Sequence, residues 1–284
     1  MLTTAIIEKA AREALAEDSP WGDLTSDNFL PVGVPARLGV KLKQEGVICG
    51  LALAGEVFRQ ADPESRWEAK VEDGARPALG EVFAAVEGEA RAMLRAERIA
   101  LNFLQRLSGV ATATAALVHQ ARKGGSAVRI IDTRKTTPGL RALEKYAVTV
   151  GGGVNHRFGL SDGVLVKDNH LAILEHAGIS LKDAVSQARK RVAHTAKFEI
   201  EVETVAQAKA AIAAGADLLL LDNMSLEDMR AVVELAPPGI LTEASGNVTL
   251  DRVADIAATG VDLISSGAIT HSAPAIDISL DFEA

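Results

Sequence analysis

From residue 128 onward the sequence repeats one pattern: a short apolar segment, a polar or glycine-containing stretch, then a helical stretch. The apolar segments are 128–132, 163–167, 198–202, 218–222, 240–243 and 263–265, and helical spacing runs over 181–193, 205–214, 226–235 and 250–259. Near-continuous apolar strands separated by helices belong in a parallel sheet that those helices cover. An open doubly wound sheet and a barrel both satisfy the pattern, and the strand ends favour the barrel. They read Asp132-Thr-Arg-Lys135, Lys167-Asp-Asn169, Glu201-Val-Glu203, Asp222-Asn223, Glu243-Ala-Ser-Gly246 and Ser265-Ser-Gly267. A barrel gathers such ends at one mouth, whereas a doubly wound sheet spreads them along an edge. Six strands are fewer than a full barrel holds, so the fold class is α/β, an open or incomplete (β/α) barrel of about six parallel strands.

The part before it is built differently. Residues 2–16 carry Leu2, Ile6, Ile7, Ala10, Ala14 and Leu15 at helical spacing, and Asp18-Ser-Pro-Trp-Gly-Asp23 stops that helix. Leu38, Val40 and Leu42 alternate with Gly39, Lys41 and Lys43 as in a half-buried strand, and short strands with glycine turns are expected to about Glu89. A helix over 90–122 follows, with Ser108-Gly109 as a candidate interruption and the turn 123–126 as its end. At the other extreme, Ile276, Ile278, Leu280 and Phe282 alternate with Asp277, Ser279 and Asp281. That period of two predicts a tail strand returning to the N-terminal sheet. The expected division is 1–107 with the tail 273–284, and 108–272 for the barrel.

Composition excludes several functions. A formal net charge of −8 argues against a nucleic-acid surface, which needs a basic field. The apolar run Ala216–Asp222 is far shorter than the ~20 residues of a membrane span. The single Cys49 cannot form an internal disulfide and no leader pattern opens the sequence, so a cytoplasmic protein is expected. An anionic ligand must then find its positive charge gathered locally.

Such a gathering exists. Ile131-Asp-Thr-Arg-Lys-Thr-Thr-Pro138 leads from a strand into two cations. Arg134 offers a planar fork and Lys135 a mobile point charge for carboxylate or phosphate, Thr133 lying beside them; the competing interpretation is a solvated turn. Gly151–Gly153 would let a backbone approach a ligand closely, and His156 and Arg157 follow it. Lys167, ending its strand, suits anion binding, a Schiff base if desolvated, or a simple pairing with Glu201 or Asp222. Glu201 and Asp222 are candidates for ribose hydroxyls or a magnesium ion; as paired carboxylates they would also fit glycoside hydrolysis, less well given the cations around them. Ser245-Gly246-Asn247 and Ser266-Gly267-Ala268 are glycine turns of the kind that bind phosphate in barrels. His119, His170, His176, His194 and His271 show no metal-ligand spacing, and no zinc site is expected.

Glu97-Arg98, Ala100-Leu-Asn-Phe103, Asp132-Thr-Arg-Lys-Thr136, Gly151–Arg157, Lys167-Asp-Asn-His170, Leu221-Asp-Asn223, Glu243-Ala-Ser-Gly246 and Thr270-His-Ser272 together resemble the quinolinate phosphoribosyltransferase family over nearly the whole chain. The resemblance implies an open barrel with an N-terminal α/β sandwich, acting on quinolinate and phosphoribosyl pyrophosphate with magnesium to give nicotinate mononucleotide, pyrophosphate and carbon dioxide. It implies that Arg134, His156, Arg157 and Lys167, with Thr133 and Lys135 beside them, hold the quinolinate carboxylates. Arg98 would reach the same pocket from a neighbouring subunit of a homodimer. Glu201 and Asp222 would serve the ribose and its magnesium, and the turns Ser245–Asn247 and Ser266–Ala268 the 5′-phosphate. Ile99 stands where the family has threonine and Asn247 where glycine is frequent. A related branch associated with molybdenum transport shares the Thr-Arg-Lys and Gly-His-Arg segments but usually lacks the Lys-Asp-Asn-His run present here at 167–170.

Overall fold

The computed structural model describes residues 2–124 and 127–283. In chain order the elements are α1 (Thr4–Asp18), α2 (Leu24–Phe29), β1 (Pro35–Leu42), α3 (Leu51–Ala61), β2 (Arg66–Ala69), β3 (Val82–Glu89), α4 (Ala90–Arg122), β4 (Arg129–Ile131), α5 (Arg141–Val150) and β5 (Val164–Val166). There follow α6 (Asp168–His176), α7 (Leu181–Arg189), β6 (Phe198–Val202), α8 (Val205–Ala214), β7 (Leu218–Asp222), α9 (Leu226–Leu235), β8 (Leu241–Ser245), α10 (Val253–Ala257), β9 (Leu263–Ser265), α11 (Ala268–His271) and β10 (Ile278–Phe282). They divide into two compact units. One comprises residues up to Ala115, Thr137–Gly152 and the stretch from Ile269; the other comprises Ala116–Thr136 and Gly153–Ala268.

The first unit is built on a four-stranded antiparallel sheet ordered β10-β1-β3-β2. The tail does return: β10 lies along β1 with Leu38 opposite Phe282 and Leu42 opposite Ile278. Leu38, Val40 and Leu42 of β1 are buried with Phe83 and Val86 of β3, and α1 begins under the Thr3 side chain, which accepts from the Ile6 N–H. Two elements differ from expectation. Residues 51–61 form a helix rather than strands and turns, because Leu51, Ala54, Val57 and Phe58 are buried at helical spacing. Gly55 stands where any Cβ would meet the Trp67 indole at 2.6 Å, so that glycine serves packing rather than a turn. Helix α4 also runs unbroken through Ser108-Gly109. There the Ser108 hydroxyl accepts from the Cys49 N–H at 2.9 Å, and Gly109 lets the Pro274 carbonyl lie against the helix.

The second unit holds six parallel strands in the order β4-β9-β8-β7-β6-β5. No pairing joins β4 to β5 among the described residues, so the barrel is open between them. Val154 bridges to Ile131 on the free side of β4. The strands are buried as their apolar runs require: Ile200, Leu219, Leu221, Ala244 and Ile264 are inaccessible to solvent. Helices α8 and α9 start at side-chain caps, Thr204 accepting from the Gln207 N–H and Ser225 from the Asp228 N–H. Of the turn expected at 123–126, Lys123 and Gly124 end α4, and Gly125 and Ser126 lie outside the described residues. Among the described residues no helix is long and apolar enough to cross a membrane.

Candidate active site

The C-terminal ends of these strands surround one pocket of about 630 Å³. Thr133, Arg134 and Lys135 enter it after β4, His156 and Arg157 from the segment beside β4, Lys167 after β5, Glu201 from β6, Asp222 from β7, and Ser245, Gly246 and Asn247 from β8. The cations thus come from the two strands flanking the opening, and the carboxylates from β6 and β7 inside the sheet. Every sequence-expected residue of the β4, β5, β6, β7 and β8 ends meets there. The last turn does not reach the lining, which takes Ser265 from β9, whereas Ser266 is buried behind it and Gly267 and Ala268 follow. Arg98 is exposed on α4, in the other unit. The glycine run 151–153 contributes to α5 packing instead: Gly151 lies against the Ala111 carbonyl of α4.

Charge is balanced unevenly inside the pocket. Burial, and next the positive charge of Arg134, hold the Arg157 guanidinium below its usual pKa. Its Nη1 donates to the Gly163 carbonyl at 2.9 Å. Lys167 Nζ is 3.6 Å from Glu201 Oε2 and half exposed, so it lacks the apolar enclosure of a Schiff-base lysine. Burial raises the Glu201 carboxyl above its usual range; Lys167 opposes this, and Asp222 and Asp168 add to it. Glu201 and Asp222 repel one another at the mouth, and such a carboxylate pair is what a magnesium ion takes when water and phosphate oxygens complete its shell, so the two residues fit that ion.

Two residues of the expected mouth that carry no individual role on sequence grounds, Asn223 and Glu243, also line the pocket. Asn223 and Asn247 adopt left-handed backbone, φ 52 and 51, which asparagine tolerates better than most non-glycine residues. Asn247 thereby holds a conformation that suits the glycine frequent at its position. Its amide donates to Asn223 Oδ1 at 2.9 Å, and the Asn223 amide donates to Asp222 Oδ2 at 2.9 Å, a chain that aims the aspartate. Glu243 is buried in the pocket floor. Beneath it Glu199 and Asp132 are buried as well. Period two along Phe198-Glu199-Ile200-Glu201-Val202 was the available signal, since it puts both glutamates on one face of β6.

An open parallel barrel whose mouth has a cationic side and a carboxylate side suits an enzyme that binds an anionic substrate beside a polyhydroxylated one. The family model for the quinolinate phosphoribosyl transferase N-terminal domain matches residues 23–108, and that for the C-terminal domain matches 110–281. The chain belongs to the quinolinate phosphoribosyltransferase family. It is 42% identical over 275 residues to a probable nicotinate-nucleotide pyrophosphorylase (carboxylating) of Bacillus subtilis, covering 97% of this chain and 93% of that protein. It is 41% identical over 276 residues to the nicotinate-nucleotide pyrophosphorylase (carboxylating) of Mycobacterium leprae, covering 95% of each. The crystal structure of NadC from Streptococcus pyogenes superposes with a TM-score of 0.92 at 38% identity, over 100% of this chain and 99% of that one.

Proposed function

We propose that the protein transfers the phosphoribosyl group of phosphoribosyl pyrophosphate to quinolinate with loss of carbon dioxide, giving nicotinate mononucleotide and pyrophosphate in NAD biosynthesis. The observation that carries this is the division of one pocket into a side bearing Arg134, Arg157 and Lys167 and a side bearing Glu201, Asp222 and the Ser245–Asn247 turn. A planar dicarboxylate suits the first, where the guanidinium forks match carboxylate geometry. A ribose phosphate suits the second.

Arg134, Arg157 and Lys167 bind the carboxylates, with Thr133, Lys135 and His156 on the same wall. Glu201 and Asp222 hold the ribose hydroxyls and magnesium, which when bound offsets charge on the departing pyrophosphate. The 5′-phosphate lies on the Ser245–Asn247 turn, with Ser266, Gly267 and Ala268 nearby in sequence to the Ser265 wall. Fixing both reactants converts the attack of the pyridine nitrogen on the anomeric carbon into an intramolecular step. No general base is needed, because that nitrogen attacks through a lone pair. Lys135 adds charge at the leaving pyrophosphate. Once the ring nitrogen is cationic it stabilises the electron pair left at C2 as carbon dioxide departs, and that pair then takes a proton from solvent to give the C2–H of nicotinate mononucleotide. Arg98 enters the pocket of a partner subunit in a homodimer; exposed Trp21, Leu24, Phe29 and Val32, close in sequence to one another, support self-association.

Release of labelled carbon dioxide from quinolinate tests this. It is expected only when phosphoribosyl pyrophosphate and magnesium are both added, and Lys167→Ala should abolish most of it. No release from folded protein would overturn the assignment and favour the molybdenum-associated branch.

A further inference from the structure

Below the pocket lie three buried acids, Asp132, Glu199 and Glu243, to which the transfer reaction gives no task. Burying carboxylates is unfavourable unless they are paired, so their partners reveal what they do. The backbone N–H of His156 donates to Asp132 Oδ1 at 2.8 Å. The Nε2 of the same residue lies 3.1 Å from Glu199 Oε2 and 3.7 Å from Glu243 Oε2. Its Nδ1 accepts from the backbone N–H of Arg157 at 2.6 Å. An N–H aimed at Nδ1 requires a lone pair there, so the ring proton sits on Nε2 and points at the glutamates. Both ring nitrogens are engaged by the protein, and what the ring holds is the main chain of Arg157.

We propose that Glu199 and Glu243 are positioning residues that, through the His156 ring, fix Arg157 for the substrate carboxylate. The proposal rests on the quinolinate assignment of the pocket. Arg157 is then held at two places, its amide by His156 and its guanidinium by the Gly163 carbonyl. His156, Arg157 and Glu243 also border a second cavity of about 350 Å³, lined further by Arg129, Lys197 and Leu218. Without the carboxylates the ring has space beneath it to turn into, and Arg157 loses its anchor. Burial, and then the charge of Glu199, hold the Glu243 carboxyl well above its usual pKa. Nε2 stands closer to Glu199 than to Glu243, at 3.1 against 3.7 Å, which makes Glu199 its acceptor.

His156, Glu199 and Glu243 each offer a ligand atom within 4.8 Å of the others, so a divalent cation is the competing occupant of this cluster. Nuclear magnetic resonance of the ¹⁵N-histidine-labelled protein, with His156 assigned by its loss in His156→Asn, separates the two without any substrate. A proton on Nε2 and an acceptor Nδ1, unchanged by added zinc, which is diamagnetic, are expected; an Nε2 without a proton, or a proton on Nδ1, would overturn the proposal. Calorimetry with quinolinate then tests the coupling. Glu199→Ala should weaken binding about tenfold, while Glu199→Gln, whose amide oxygen still accepts from Nε2, should stay within about twofold. Phosphoribosyl pyrophosphate affinity should not move. In the Arg157→Ala background Glu199→Ala should add nothing; additive losses would show that Glu199 acts by another route. If the wild-type protein binds no quinolinate, the substrate assignment fails and the resonance experiment alone decides the role of the ring.

Discussion

Arg157 carries an electrostatic strain that its ligand would relieve. Desolvation and the adjacent Arg134 both weigh against its charge, and a carboxylate between the two guanidiniums offsets both. Arg157→Ala should therefore weaken quinolinate binding by about tenfold or more, as expected for a charged hydrogen bond, with little change for phosphoribosyl pyrophosphate in the same calorimeter. Glu243 gives a pH prediction. Its folded pKa lies above the ordinary 4.5, so its contribution to stability is complete below that pH and is lost as pH rises toward the folded value. Glu243→Gln, neutral at every pH, should melt higher than wild type above pH 4.5, the gap growing by up to about 1.4 kcal/mol per pH unit. A gap that stays flat as pH rises above 4.5 would show Glu243 to be charged in the folded protein. Arg134, Lys167, Glu201 and Asp222 were legible because a charge that follows or ends an apolar strand sits at the rim of the sheet, where a ligand can reach it, and Arg157 because it follows a glycine run. Glu199 was not, because it lies within its strand, and only neighbouring strands decide whether such a residue faces the interior; Glu243 reads as a strand end, although β8 continues to Ser245.

At the scale of elements, the strands of the second unit were legible to within two residues at each end, since their apolar runs stand alone between polar stretches. The helix α3 was not: short strands with glycine turns are expected over its length, and only Trp67, packed on Gly55 from β2, accounts for a glycine inside the helix. Gly109 in α4 has the same kind of long-range cause. Gly109→Ala would push a methyl group into the Pro274 carbonyl. It should cost about 1–3 kcal/mol by overpacking, read as a lower denaturation midpoint with an unchanged slope. Gly246 has φ 88, and its missing Cβ leaves room for the Asn223 side chain. Gly246→Ala should therefore raise KM for phosphoribosyl pyrophosphate more than for quinolinate, because it disturbs the Asn247–Asn223–Asp222 chain.

Across the whole molecule, a net charge of −8 coexists with a mouth gathering Arg134, Lys135, Arg157 and Lys167. Anionic substrates then meet attraction at one place and repulsion elsewhere. The proposed sharing of sites between subunits can be tested by mixing. Arg98→Ala and Lys167→Ala subunits, each inactive alone, should recover about a quarter of wild-type activity when reassembled at equal amounts, since half the dimers are mixed and each has one intact site. No recovery would place Arg98 in its own subunit's function or in none. The tail strand was legible from its period of two, but its partner, β1, could be named only by analogy of pattern. That pairing has a temporal side. Arg37 and Glu283, ion-paired across the β1–β10 edge, are 246 residues apart. On the ribosome, β1 emerges long before β10 has been translated, and an unpaired strand edge is a template for association with other chains. The β1 edge therefore stays open for nearly the entire span of synthesis and closes only when the last strand arrives.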